Sequence, residues 1–166
     1  MPGAAAPSDR GRQTGAMNSG SSNSESSRRV ELVRTGRLRF RASNARGGTI
    51  EFGPGDDGEF SPVELLLAAI AGCTAMDVDA ITGKRAEAEE FRVSADAGKV
   101  RDRDGNHLVD IVIDFTVRFP DTEGGTAAAA VYESAVLRSH DRLCTVSRTV
   151  ELPSPVTVRI DGRDLR

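Results

Sequence analysis

The sequence has no tryptophan, one tyrosine and six phenylalanines among 166 residues. Stacking of nucleobases on aromatic side chains is thereby set aside as a main activity, and any core has to be built from aliphatic groups. Histidine is scarce as well, with two residues. Charge of neither sign dominates: 22 basic against 25 acidic side chains leave a net charge of −3, so no global field draws the chain to nucleic acid or to an anionic membrane. Long apolar runs are also missing. The longest uncharged, proline-free stretch of the candidate core, Leu65 to Met76, falls short of the roughly 20 residues of a membrane-spanning helix. Two cysteines, Cys73 and Cys144, stand 71 positions apart with no secretory leader ahead of them, the usage of cytoplasmic thiols rather than of a secreted disulfide framework.

What is present suits one globular domain, with 28% charged and 38% apolar residues. Residues 1–29 are Gly, Ala, Ser, Asn and Arg with hardly an apolar side chain, too little to offset the entropy of ordering. A disordered tail is expected there, with Met17 as a second candidate start. From Val30 the pattern changes. Arg37 to Ala42 alternates polar with apolar, the mark of a strand with one wet face, and Thr49 to Phe52 gives a second. Gly53 to Gly58 is a loop by its turn residues. Ser61-Pro62 then supplies an N-cap and a first-turn proline for an apolar helix running to about Thr82, closed by Gly83-Lys84-Arg85. Phe91, Val93, Ala95 and Ala97 predict a strand, as does the run Val109, Ile111, Ile113, Phe115, Val117, Phe119, with a hairpin loop at Asp102 to Asn106. Ala127 to Ser139 is a second helix by propensity, and Val156, Val158 and Ile160 form a last strand. The order β-β-α-β-β-α-β belongs to the α+β class, in a domain of residues 30–162 with a C-terminal tail at 163–166. The first helix is apolar around so much of its circumference that one sheet could hardly cover it, so a homodimer is expected.

Cys73 lies midway along that helix among apolar neighbours. Cys144 follows His140-Asp141-Arg142-Leu143, at the end of the second helix or the start of a short further one, where free backbone amides would lower its pKa. On the residues alone the two are packing thiols or a redox pair. A zinc site is the third reading, since His140 and Cys144 have the offset of helical ligands and Cys73 and His107 could complete four, although no close cysteine pair supports it. Gly53 to Gly58 lacks the Gly-Lys-Ser/Thr ending of a phosphate loop, and no serine sits in a nucleophile elbow.

The segment Ser61-Pro62-Val63-Glu64-Leu65-Leu66-Leu67-Ala68-Ala69-Ile70-Ala71-Gly72-Cys73-Thr74-Ala75-Met76-Asp77-Val78 resembles the signature helix of the OsmC/Ohr family, the osmotically inducible and organic hydroperoxide resistance proteins. Leu143-Cys144-Thr145-Val146-Ser147 resembles that family's second cysteine motif, and the likeness covers roughly residues 30–161. It implies an OsmC-like fold, with two long helices covered by antiparallel sheets in an intertwined homodimer. It further implies a thiol peroxidase of oxidative-stress defence that needs no metal or bound cofactor. Cys73 would be the peroxidatic thiol and Cys144 the resolving one, with an external dithiol, lipoyl-linked in one branch, restoring both. A thiolate in an apolar pocket needs a cation. The family draws it from the N-terminal strands, which here points to Arg46 in Asn44-Ala45-Arg46-Gly47-Gly48, with Arg39 and Arg41 as competitors. The family's glutamate directly follows the helix-starting proline; that position is Val63 here, and the acid is Glu64. One residue turns the side chain by about 100°, and Glu64 is nine residues ahead of Cys73, so a contact between them would cross between subunits. Glu64 also suits the helix dipole as a first-turn acid. The alternative function is a non-catalytic protein holding a small apolar ligand at the subunit interface.

Overall fold

A computed structural model describes residues 26–152 and 154–165; most of the expected tail, residues 1–25, lies outside the described residues. The chain begins with an antiparallel meander of β1 (Val30–Gly36), β2 (Arg39–Asn44) and β3 (Thr49–Phe52), in that spatial order. Leu32 faces Ala42, and Ala42 faces Ile50. Here the sequence reading needs correction. Arg37 and Leu38 form the turn between β1 and β2, with Leu38 at φ +58°, and Val30–Gly36 is a strand of its own. The alternation at Arg37 to Ala42 runs through that turn, while Leu32-Val33 breaks the period-two rhythm that would have marked β1.

Helix α1 (Pro62–Thr82) starts where the cap residues place it. Ser61 Oγ accepts the Glu64 amide at 3.3 Å while the Glu64 carboxylate accepts the Ser61 amide at 2.7 Å, a reciprocal capping box. At the other end the Gly83 amide donates to Asp79 O at 2.8 Å, and Arg85 Nη1 donates to the Ile81 carbonyl at 3.1 Å. α1 is by length and composition long and apolar enough to cross a bilayer, which the count to Met76 alone did not reveal. It packs on α2, β4 and α3.

The long hairpin of β4 (Glu90–Asp102) and β5 (Gly105–Arg118) sets Phe91 opposite Val117, Val93 opposite Phe115 and Ala95 opposite Ile113. Its turn is tighter than expected, and Asn106 belongs to β5: Asp102 Oδ1 accepts the Asp104 amide at 2.9 Å, and Gly105 takes φ +103°. The apolar face meets α2 (Glu123–Arg138) through Tyr132, whose ring lies 6.5 Å from Phe115 and 6.0 Å from Phe119. α2 starts four residues before the propensity limit at Ala127. The two glycines in its first turn are needed by the packing: a Cβ on Gly125 would lie 1.8 Å from Pro120 O, and one on Gly124 would lie 2.8 Å from Arg85 O.

After α2 the chain makes one wide π-helical turn, Ser139–Leu143, then α3 (Thr145–Glu151). The strand expected around Val156 to Ile160 shrinks to β6 (Arg159–Ile160), paired with β7 (Arg163–Asp164) inside the expected C-terminal tail. The α+β architecture stands, with these elements added. Its core is small. Val78, Ala128, Ala135, Thr82, Ser139 and Cys144 are buried between α1, α2 and the π turn, whereas Met76 on α1 is 75% exposed and Leu137 on α2 is 56% exposed. Apolar surface of that kind is the reason a homodimer was expected from the helix composition.

Candidate active site

The π turn carries Cys144 back to the middle of α1. There the two thiols are neighbours, each acting on the proton affinity of the other. Both are free thiols; Cys73 is half-buried and Cys144 wholly buried. The Cys144 amide closes the π turn by donating to Ser139 O at 2.9 Å, and Cys144 then serves as the N-cap of α3. Its sulfur occupies the place of a capping oxygen: Ser147 N donates to Sγ at 3.4 Å, and Ser147 Oγ lies 3.1 Å from it. The sequence reading left open whether Cys144 ends one helix or begins another; it begins α3.

Position decides the proton affinities. Burial pushes the Cys73 thiol up, the amide of Val146 opposes this in part, and the neighbouring Cys144 and Asp77 push it further up. Burial acts upward on Cys144 too, but hydrogen bonds from Ser147 Oγ, Thr74, the Ser147 amide and Cys73 together bring its thiol below the ordinary range. The donors thus gather on Cys144, while burial and the nearby carboxylate act against a charge on Cys73. Thr74 takes part by a choice of acceptor. Its hydroxyl donates to Ile70 O at 3.2 Å along its own helix, and Thr74 is among the groups that lower the Cys144 thiol.

Thr74, Asp77, Ser139 and Ser147 were not singled out in the sequence. Ser147 left a trace, since a residue three positions after a cap is where the reciprocal partner stands. Asp77 is one helical turn beyond Cys73 and accepts from Ser139 Oγ at 2.8 Å. Nothing local marks Ser139.

The charged candidates sit elsewhere. The Glu64 carboxylate is engaged by the Ser61 amide and hydroxyl at 2.7 and 2.6 Å, and these bonds hold its pKa below the usual carboxylate value. Arg46 stands at the tip of the β2–β3 turn, where Asn44 Oδ1 accepts the amides of Arg46 and Gly48 at 2.8 and 3.1 Å and Gly47 takes φ +86°. Its side chain makes no ion pair among the described residues. Arg41 pairs with Glu51 at 2.6 Å, and Arg39 pairs with Glu59 at 2.5 Å and with Asp57. Among the described residues no guanidinium is one of the groups that act on the Cys73 thiol. His140 Nδ1 lies 3.1 Å from Asp141 and Nε2 3.2 Å from Glu151, and His107 is beside Asp102 at 3.8 Å. Among the described residues no three His, Cys, Asp or Glu side chains are grouped to hold a metal ion. Beside Ser147 is a cavity of about 170 Å³ lined by Ile70, Ile111, Ile113 and Val150, with His140 and Glu151 on its polar side.

The sequence model of the family described as OsmC-like protein matches residues 55–159, which include both cysteines. Among solved structures, a hypothetical protein of Aquifex aeolicus is similar at 23% identity with a TM-score of 0.62, over 76% of this chain and 89% of that one. An OsmC-like protein of unknown function from Vibrio cholerae gives a TM-score of 0.63 at 16% identity, over 76% and 95%. A second V. cholerae protein, described as an organic hydroperoxide resistance protein with captopril bound in one of its active sites, gives 0.52 at 17% identity, over 86% and 98%. These identities speak to the fold. No curated protein matches.

Proposed function

Because the chain belongs to the OsmC-like family, we propose that it is a thiol peroxidase that reduces organic hydroperoxides in oxidative-stress defence, with Cys73 attacking and Cys144 resolving. One observation carries this reading: two sulfurs 71 positions apart in sequence are brought near enough to act on each other, one half-buried and the other buried with the Ser147 hydroxyl and amide on it. The description of the second V. cholerae protein agrees with it.

The chemistry follows from the proton positions. Transfer of the proton from Cys73 to Cys144 puts the charge on the half-buried sulfur. The Cys73 thiolate attacks the distal oxygen of the hydroperoxide, the O–O bond breaks, and the alkoxide leaves as alcohol with the proton returned from Cys144. Cys73 is now a sulfenic acid and Cys144 a thiolate. Attack of Cys144 on the Cys73 sulfur forms the disulfide and expels hydroxide. The sum is ROOH plus one thiol and one thiolate giving ROH, one disulfide and hydroxide. An external dithiol, lipoyl-linked or otherwise, then reduces the disulfide by two exchanges through a mixed disulfide.

The first step costs most, since burial and Asp77 both oppose an anion on Cys73. A guanidinium would offset that cost, and we assign it to Arg46, delivered across the interface of a homodimer. Support comes from the braced turn that presents it, from its lack of an ion pair among the described residues, and from the exposed apolar side chains of α1 and α2. Glu64 holds the start of α1. A second reading, a binding protein for a small apolar ligand, is favoured by the cavity beside Ser147.

The deciding experiment mixes reduced protein with cumene hydroperoxide without oxygen. Two thiols per chain should be lost and one Cys73–Cys144 peptide link formed. Cys73→Ser should abolish turnover, and Cys144→Ser should accumulate a dimedone-reactive sulfenic acid. Thiols that stay reduced, with an apolar ligand retained by Cys73→Ser, would replace the peroxidase reading with the binding one.

A further inference from the structure

Ser139 is fully buried, yet its hydroxyl does not turn back to a carbonyl of its own helix, the usual solution for a buried serine. It reaches across 62 positions of sequence to donate to Asp77 Oδ2 at 2.8 Å. The same residue's carbonyl accepts the Cys144 amide at 2.9 Å. A single residue thus joins α1 at its side chain and the second cysteine at its backbone, through a π turn of the kind often found at functional sites.

Asp77 is electrostatically out of place. A carboxylate one turn from Cys73 opposes the anion the first step requires. An apolar residue would remove that penalty, so its presence needs another reason. We propose that Asp77 and Ser139 form a strap that registers the Cys144 turn against α1, making both positioning residues for disulfide formation. The proposal rests on the thiol-pair reading and concerns its second step. An acceptor is needed because a buried hydroxyl left without a partner is costly, and Asp77 supplies the one that fixes the turn where only small side chains pack.

The test is equilibration of reduced protein with glutathione buffers: two protein thiols and one glutathione disulfide give one protein disulfide and two glutathiones, with no peroxide involved. Ser139→Ala and Asp77→Ala should each lower the Cys73–Cys144 equilibrium constant about tenfold, a change in potential of about 30 mV. Asp77→Asn keeps an acceptor and should stay within about threefold of wild type, while its Cys73 is alkylated faster because the opposing charge is gone. In a Cys73→Ser background, Ser139→Ala should also speed iodoacetamide alkylation of the buried Cys144. Unchanged constants in both alanine variants, or an Asp77→Asn variant as defective as Asp77→Ala, would overturn the strap. So would the absence of any Cys73–Cys144 disulfide in wild type. A disulfide that forms in glutathione and obeys these expectations, in a protein inert toward hydroperoxides, would sustain the strap and overturn the peroxidase.

Discussion

Ser147→Ala tests what holds the Cys144 thiol below its ordinary range. Wild-type Ser147 offers Sγ two donors, its hydroxyl at 3.1 Å and its amide at 3.4 Å. Alanine deletes the first and keeps the second, and at 9% exposure of the residue water does not readily replace the hydroxyl. A hydrogen bond to a charged group is worth about 1.5 to 3 kcal/mol. With about 1.4 kcal/mol per factor of ten, the proton affinity of Cys144 should rise by about tenfold to a hundredfold, and its titration should move to higher pH. The assay is ultraviolet thiolate absorbance against pH in a Cys73→Ser background, where one thiol titrates. Stability gives an independent sign. Folding lowers the Cys144 pKa, so its contribution is complete above the ordinary thiol value of about 8.5 and is lost as pH falls through the folded value. The stability gap between the Cys73→Ser parent and the double variant should therefore widen as pH rises. An unmoved titration, or a gap that narrows toward alkaline pH, refutes Ser147 as a source of the lowered Cys144 pKa.

Three further perturbations probe the frame around the thiols. Ser61→Ala removes the centre of the capping box and should cost about 1 kcal/mol in thermal unfolding, whereas Glu64→Gln preserves the acceptor and should keep wild-type hydroperoxide turnover; a large loss of turnover at unchanged melting temperature would give Glu64 a catalytic part. Gly125→Ala drives a Cβ to 1.8 Å from Pro120 O, so urea unfolding should register destabilisation at the upper end of the overpacking range, about 3 kcal/mol, and a neutral result would mean the first turn of α2 is not held there. Arg46→Ala should slow the hydroperoxide reaction of Cys73 at least about tenfold in stopped-flow mixing while leaving the melting temperature in place. Equal slowing by Arg39→Ala alone would move the role to Arg39.

The parts of this molecule that were legible in the sequence are those fixed by local chemistry. Ser61 and Pro62 begin α1 where they stand because cap and first-turn proline act within one turn. The period-two runs at Phe91 and Val109 became the long hairpin because one face had to be covered. The start of α2 was hidden because Gly124 and Gly125 are poor helix formers, chosen for a close approach to Arg85 and Pro120 that is tertiary. β1 was hidden because its apolar residues do not alternate strictly. In the site, the two cysteines were found by type and motif. Ser139 and Asp77 are joined across 62 positions, and no periodicity encodes such a pair. Their partnership exists only once the π turn has folded against α1.

The unequal proton affinities of the two sulfurs follow from where each lies on its helix. Cys73 is in the interior of α1, where the surrounding amides are already spent on carbonyls one turn back, so its hydrogen-bond help has to arrive from outside, from Val146. Cys144 stands at the beginning of α3, where amides are still free, and takes the Ser147 amide along with three side-chain donors. A pair built from a mid-helix thiol and a capping thiol is thus polarised by its backbone before any charged residue is added. Cys144 is the buried sulfur with donors on it, and Cys73 the half-buried one with burial and Asp77 against its charge. A cation is therefore most useful at Cys73 and nearly redundant at Cys144.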